Sequence, residues 1–269
     1  MTTLLIDAGN TRIKFGWIDT RTGEREPVAL ALGHAELEQI EPWLATRPND
    51  AASGAIRAIG TNVAGNEAGS RIEDLVRRHL GTSISWITGT PAAAGVRNGY
   101  MNPAQLGPDR WVSMVGLAGH AQSHGPMMLA SFGTTTTIDT LGYEAGEPVF
   151  VGGLILPGPM LMRASLASAT ANLPLAESSF AAFGLHTHQA ISSGIAAAQT
   201  GALLRQWREG IERFGQAPRV FCSGGGWPLV EGEVCRTLLR AQADLGQAHE
   251  PVEWLATPVL DGLARLALL

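Results

Sequence analysis

The sequence predicts an α/β protein built from two duplicated lobes, each a mixed sheet flanked by helices, facing each other across a cleft. Three observations predict it. Short β-patterned runs alternate with helix-spaced runs along all 269 residues. One unit, a strand, a Gly loop and a returning strand, occurs twice: Asp7-Ala8-Gly9-Asn10-Thr11 and Ser131-Phe132-Gly133-Thr134-Thr135 hold equivalent places. The composition, 45% hydrophobic and 16% charged, supplies an ample core and is the opposite of a disordered chain's.

The elements follow in order. Met1 to Ile6 reads as a buried strand ending at Asp7, and Arg12 to Asp19 alternates as its returning partner, closed by a turn at Arg21-Thr22-Gly23. Ala35 to Leu44 is helix-like, Ala55 to Thr61 is a strand, and Ser70 to Leu80 has helical spacing through Ile72, Leu75, Val76 and His79. Ile84 to Ile87 is a further strand. The pattern then restarts. Pro126 to Ala130 is an apolar strand ending at Ser131, Thr136 to Leu141 alternates, and Val149 to Leu156 is a strand around a Gly pair. Helical patterns cover Pro159 to Ser168, Thr187 to Phe214 and Val230 to Ala243. Arg219 to Ser223 is a short strand, and Leu263 to Leu269 is a small terminal helix or tail. The lobes are expected at 1–122 and 123–269, with the boundary near His120 to Pro126.

A formal net charge of −5 and a pI near 5.8 give no basic face, so a nucleic-acid partner is not expected. Anions must be captured by local groups rather than by a global field. Two cysteines, Cys222 and Cys235, make no disulfide framework. No leader segment and no long apolar span are read, so a cytoplasmic protein without membrane contact is expected.

Three motifs carry chemistry. In Asp7-Ala8-Gly9-Asn10-Thr11-Arg12-Ile13-Lys14, Gly9 lets backbone N–H groups approach an anion, Asn10 and Thr11 add donors, and Lys14 adds a point charge. Asp7, ending a buried strand, is poised for a hydrated Mg²⁺ shared with phosphate oxygens. In Gly133-Thr134-Thr135-Thr136-Thr137-Ile138-Asp139, the threonines favour strand while presenting two hydroxyls beside a Gly turn; with the first loop this makes a two-sided phosphate clamp. In Ser223-Gly224-Gly225-Gly226, the glycines let a flat adenine or ribose lie against backbone. The P-loop pattern, the dinucleotide G-x-G-x-x-G after a strand and the G-x-S-x-G elbow are absent from the sequence. Phosphate loops at the hinge of a duplicated α/β fold are the signature of actin-like (ribonuclease H-like) phosphotransferases.

These motifs, in this order and nearly end to end, resemble the type III pantothenate kinases, also known as the Bvg accessory factor family. The resemblance also runs through Tyr100-Met101-Asn102-Pro103, Leu106-Gly107-Pro108-Asp109-Arg110-Trp111, Gly152-Gly153-Leu154-Ile155-Leu156-Pro157-Gly158 and Thr187-His188-Gln189-Ala190-Ile191-Ser192-Ser193-Gly194-Ile195. Gly-x-Asp-Arg is the most specific segment. The resemblance implies that ATP with Mg²⁺ phosphorylates pantothenate to 4′-phosphopantothenate, the first step of coenzyme A synthesis. It makes Asp109 the general base, puts Tyr100, Gly107, Pro108, Asp109, Arg110 and Thr187 on pantothenate and Thr134 on ATP, and implies a homodimer with the substrate site near the subunit interface. Gly9, Asn10, Thr11, Lys14, Gly133, Gly224 and Gly225 complete the expected nucleotide contacts. The family often opens its second phosphate motif with an aspartate assigned to a monovalent cation. This chain has Ser131 there, which puts a K⁺ or NH₄⁺ site in doubt.

Read without the resemblance, Asp109-Arg110 is an ion pair or helix cap, and Thr187 is the N-cap of a long helix. Trp111 is read as a wall of the substrate cleft, and Trp43, Trp86, Trp207 and Trp254 as core or interface residues. His186 and His188 shape a pocket rim or face solvent. His120 and His124, at i, i+4 spacing, lack a third ligand and are not read as a metal site. Two alternatives stay open: a kinase for another small hydroxy acid or sugar, and a non-catalytic accessory or regulatory protein of the same fold. The intact Asp7, Lys14 and Asp109 argue against the second.

Overall fold

The computed structural model describes residues 2–45, 56–121, 125–177 and 179–269. The first half runs β1 (Thr2–Ala8), β2 (Arg12–Asp19), β3 (Glu24–Arg25), β4 (Leu30–Gly33), a 3₁₀ turn over His34–Gln39, α1 (Ile40–Ala45), β5 (Arg57–Asn62), α2 (Asn66–Leu80), β6 (Ile84–Trp86), β7 (Ala92–Ala93), β8 (Val96–Asn98) and α3 (Pro108–Ala118). The second half runs β9 (Met127–Phe132), β10 (Thr135–Glu144), β11 (Glu147–Pro157), α4 (Pro159–Ala169), α5 (Thr187–Phe214), β12 (Arg219–Ser223), α6 (Glu231–Asp244), β13 (Glu253–Trp254) and α7 (Pro258–Ala267).

The chain divides into two compact units. The first is Met1–Gln122 with Glu147–Phe150 and Thr257–Leu269, and the second is Ser123–Gly146 with Val151–Ala256. Two continuous segments, 1–122 and 123–269, therefore misplace the C-terminus. The expected tail at Leu263–Leu269 is the end of a ten-residue helix, α7, that begins at Pro258 and belongs to the first unit. Its Val259, Leu260, Leu263 and Ala264 are buried, and that apolar stripe needs a core to cover it. The expected boundary region includes residues 122–124, which lie outside the described residues, as do Met1, Ala55 and His124.

In the first unit the sheet order is β3-β2-β1-β5-β6, with β4 also on β2. The β1–β2 pair is an antiparallel hairpin (Leu5↔Gly16), and β5 and β6 add in parallel. The central strand β1 is buried on both faces, which explains its unbroken apolar run. Leu4, Ile6, Phe15 and Trp17 pack with Leu37, Ile40, Leu44, Ile72, Leu75 and Val76, and Trp43 stacks on Trp17 at 5.4 Å. Helix α2 shows the i, i+3, i+4 pattern of Ile72, Leu75 and Val76 and stops at Gly81, whose left-handed φ of 65° lets its N–H bond Arg77 O.

Helix α3 is absent from the sequence reading. Every residue from Arg110 to Leu117 is buried, so no polar stripe marks the 3.6-residue period. Its remaining signal is local: Pro108 opens the first turn and Asp109 follows it. Helices α3 and α7 meet backbone to backbone. A Cβ on Gly262 would lie 1.9 Å from Val112 O, and one on Gly116 would lie 2.4 Å from Pro258 O.

In the second unit the order is β11-β10-β9-β12-β13. Strands β9 and β10 form an antiparallel hairpin (Ile138↔Ala130), with β12 and β13 added in parallel. The four strands β2-β1-β5-β6 and β10-β9-β12-β13 thus share one order and one set of directions, which is the duplication expected from the repeated Gly-loop unit. The core here is Met128, Ala130, Phe132, Leu203, Trp207, Val220, Cys222, Val230, Val234 and Leu238. Trp207 donates from Nε1 to Pro218 O at 3.1 Å. Trp254, expected in a core or interface, is 49% exposed. No helix among the described residues is long and apolar enough to cross a membrane.

The close α3–α7 contact yields the first prediction. Gly262→Ala inserts a methyl group where there is backbone, so it lowers the unfolding free energy of the full chain by about 1–3 kcal/mol. Urea denaturation measures this, and a variant as stable as the parent rules the contact out.

Candidate active site

The first unit assembles one cluster from β1, β2, the loop before α3 and the first turn of α3. Asp7 is the penultimate residue of β1, and the hairpin register sets Lys14 directly opposite it. Lys14 Nζ stands 3.9 Å from Asp7 Oδ2. Asp7 is only 8% exposed. Burial pushes its carboxyl up to about 6; the Lys14 ammonium opposes the rise, and the charge of Asp109 adds to it. The charge of Asp109 therefore reaches Asp7.

Asp109 occupies the first turn of α3, after Gly107 at the N-cap and Pro108. Burial raises its carboxyl pKa as well, against the Arg110 backbone N–H, which donates to Oδ1 at 2.8 Å, and the Arg110 charge. Gly107 leaves this carboxylate room, since a Cβ there would stand 2.8 Å from Asp109 Oδ1 and the side chain would have to shift. Arg110 is buried. Its guanidinium lies 5.7 Å from the Tyr100 ring centroid and 5.8 Å from that of Phe150, and Nη1 donates to Tyr100 Oη at 2.8 Å. Tyr100 stacks on Phe150 at 5.5 Å. Asn98 holds the Tyr100 backbone: its Oδ1 accepts from Tyr100 N at 3.0 Å, while its Nδ2 donates to Thr90 O at 3.1 Å. The structure thus brings Asp7, Lys14, Tyr100, Gly107, Asp109 and Arg110 into one unit, and adds Phe150 and Asn98, which sequence reasoning passed over. Their one sequence signal is proximity to Tyr100 in the case of Asn98; Phe150 has none.

His34 is another addition. Its Nε2 donates to Gly9 O at 2.9 Å, while Gly9 N donates back to Arg12 O at 3.1 Å. A trans peptide is planar, with its C=O and N–H opposed. Pinning the Gly9 carbonyl therefore also aims the Asn10 N–H the opposite way. Asn10 and Thr11 are exposed at the loop tip.

In the second unit the β9–β10 loop is closed in a similar way but is one residue shorter, with Gly133 N donating to Thr135 O at 3.0 Å. Thr134 and Thr135 are exposed, which gives the two hydroxyls beside a Gly turn that the sequence predicts. The third loop is locked onto β9. Gly226 N donates to Phe132 O at 2.8 Å, and Gly224, at φ 95°, would place a Cβ 2.4 Å from that same oxygen. Gly225 is exposed. Ser131 lies on β9 between Thr137 of β10 and Ser223 of β12.

Two readings change. The N-cap of α5 is His186, whose Nδ1 accepts from Gln189 N at 3.4 Å. Thr187 is then the first helical residue, and it is exposed. Trp111 is fully buried within α3 and walls no cleft; one residue beyond the buried Arg110, it turns into the core. His186 and Thr187 line an open groove of about 590 Å³ with Met162, Leu166, Leu173 and Ile191.

Duplicated hairpin–loop units of this topology define an actin-like phosphotransferase fold. Solved structures agree at the level of fold. An exopolyphosphatase-like protein matches with a TM-score of 0.53 at 14% identity, over 100% of this chain and 99% of the other. A candidate N-acetylmannosamine kinase from Listeria monocytogenes matches with a TM-score of 0.52 at 13% identity, over 99% of each chain. Within that class, the family model of the type III pantothenate kinases matches residues 3–209. A type III pantothenate kinase of Bordetella pertussis is 49% identical over 267 residues, covering 98% of this chain and 97% of the relative. Those of Aromatoleum aromaticum and Leptothrix cholodnii are 42% and 35% identical, over 85% and 99% of this chain and 88% and 97% of theirs. The chain belongs to the type III pantothenate kinase family.

The raised Asp7 carboxyl predicts a pH-dependent stability. Its folded value, about 6, exceeds the ordinary 3.8, so the native state binds this proton more tightly than the unfolded chain. Stability from this group is complete below about pH 4 and is lost as pH rises through 6. Asp7→Asn removes the burden of the buried charge. The variant's stability advantage over the parent should widen by about 1–2 kcal/mol between pH 5 and pH 8, as read by urea unfolding at both values. A constant difference would show that Asp7 is already ionised at pH 5.

Proposed function

We propose that this chain transfers the γ-phosphoryl group of ATP to the hydroxyl of pantothenate, with Asp109 as general base. The observation that supports it most is the setting of Asp109. It is a half-buried carboxylate with raised proton affinity, held at a helix N-terminus beside Arg110, and its charge reaches Asp7, which faces Lys14. The hydroxyl oxygen attacks the γ-phosphorus while its proton passes to the Asp109 carboxylate. The bond from the γ-phosphorus to the bridging oxygen breaks, and ADP leaves. A carboxylate whose affinity for protons is raised by burial is a better acceptor than a solvated one.

Arg110, backed by two aromatic faces, presents a fixed cation to the pantothenate carboxylate, and Tyr100 shares that contact. Lys14, Asn10 and Thr11 hold phosphate oxygens at the first loop, with Gly9 shaping it. Gly133 and Thr134 do so at the second, and Gly224 and Gly225 receive the nucleoside. Thr187 adds a substrate contact. Asp7 fits a magnesium ion, being a buried hard-oxygen donor near phosphate-binding groups, and the ion neutralises charge on the polyphosphate when bound. Exposed Leu175, Phe183 and Leu185 support action as a homodimer. Cys222 and Cys235 are both free thiols, which suits the cytoplasm.

Asp109→Asn keeps fold and ATP binding but lowers kcat by about 10²–10⁴-fold in a steady-state assay with pantothenate, ATP and Mg²⁺. A rate within a few-fold of the parent would sink the base assignment. Sugars and other hydroxy acids in the same assay test the alternative substrate classes.

Ser131 offers a neutral hydroxyl among neighbouring Thr137 and Ser223, so its site lacks the charge that makes a monovalent ion worth holding. Adding K⁺ back from zero to a tetramethylammonium buffer should change the rate little. Saturating activation of about tenfold or more would mean that other groups rebuild the cation site.

A further inference from the structure

We infer that Trp254 is the stacking platform for the nucleobase of the phosphoryl donor, a base subsite formed wholly within the second unit. The inference rests on the kinase reading above and specifies its donor side. Trp254 ends β13, whose register sets it beside Cys222, and Leu255 N donates to Cys222 O at 2.8 Å. One residue on, the β12 chain enters Ser223-Gly224-Gly225-Gly226. Strands β9, β12 and β13 are mutually parallel, so Trp254 and the Gly loop stand together at their carboxyl ends, where open α/β sheets take their ligands.

The rings continue inward from there. Trp254 stacks on Trp227 at 6.5 Å and 24°, and Trp227 contacts Phe132 at 5.7 Å. Phe132 immediately precedes Gly133 of the second phosphate loop, and Trp227 immediately follows Gly226. Phe132 O also accepts the Gly226 N–H. The ladder of three rings therefore ties the loop that would hold phosphate to the loop that would admit a nucleoside. Its two inner rings are buried at 0% and 8%, while its outermost, Trp254, is 49% exposed. The neighbouring strand residue Glu253 instead pairs with Arg219 on the opposite face of the strand. A large indole left half in water, its position fixed by a buried aromatic partner, is suited to receive another flat ring. Stacking uses the π-face that every base has, so it supplies affinity with little base discrimination beyond a preference for the larger purines.

The test combines kinetics with binding. In Trp254→Ala, KM for ATP should rise by roughly 5- to 100-fold, with kcat at saturating ATP and KM for pantothenate unchanged. Trp254→Phe should keep KM for ATP within a few-fold of the parent. The parent should use ATP and GTP with lower KM than CTP and UTP, and the alanine variant should lose that difference. Binding is read without pantothenate: ATP quenches the parent's tryptophan fluorescence, and the quench is largely lost in Trp254→Phe while circular dichroism is unchanged. An alanine variant with KM for ATP within twofold of the parent, a quench that survives in the phenylalanine variant, or no quench in either protein overturns the subsite. A parent that binds ATP with the quench yet leaves pantothenate unphosphorylated overturns the kinase reading alone.

Discussion

A carboxylate buried at the end of a central strand is the constraint on which the first unit turns. Asp7 is largely withdrawn from solvent, and an isolated ionised carboxylate in such a place is costly. The hairpin answers this through register: the residue opposite Asp7 on β2 is Lys14. The sequence holds 19 Lys and Arg residues, and Lys14 is its only lysine. A compact ammonium with three rotatable donors serves where a planar guanidinium would demand a bidentate partner. Even so, Lys14 does not fully compensate, and the carboxyl remains near 6. A carboxyl left only partly compensated suits the divalent ion proposed for this place.

Duplication multiplies this arrangement and then varies it. Both units place a short Gly loop between the first two strands, closed by a glycine N–H that bonds back across the hairpin. What differs is the residue at the strand end. The first unit keeps a carboxylate there, Asp7, while the second has Ser131. One copy carries the charge and the other only hydroxyls, from Ser131, Thr134 and Thr135.

How much of this was legible depended on whether a feature announced itself locally. The hairpin strands, α2, α5 and β12 were readable because their residues alternate or recur at helical spacing and stop at Gly or polar residues. The family and its Gly-x-Asp-Arg segment were readable because several motifs fall in one order. Helix α3 was hidden because burial on all sides erased its period. Helix α7 was cut short because its Gly262 looks like a breaker until Val112 O is seen against it. The His186 cap was missed because histidine seldom takes that role while the neighbouring Thr187 often does. His34, Phe150 and Trp254 were invisible for a different reason. Each acts on a residue distant in sequence, Gly9, Arg110 and Trp227 respectively, and no spacing rule joins such pairs.

The two carboxylates of the first unit show how environment separates roles that composition leaves equal. Both are aspartates, both are desolvated, and the charge of Asp109 reaches Asp7. Asp7 sits in a rigid strand, with a lysine across the hairpin, and has no freedom to follow a moving proton. It is placed to hold charge in one position. Asp109 sits in the first turn of a helix, half-exposed, with a backbone N–H on one oxygen, so its other oxygen can face a hydroxyl. The Arg110 charge lowers Asp109's affinity for protons, but by less than burial raises it, and the guanidinium donates to Tyr100 and lies against Phe150. Burial therefore keeps Asp109's proton affinity above that of a solvated carboxylate even beside a cation, which is what the proposed base requires.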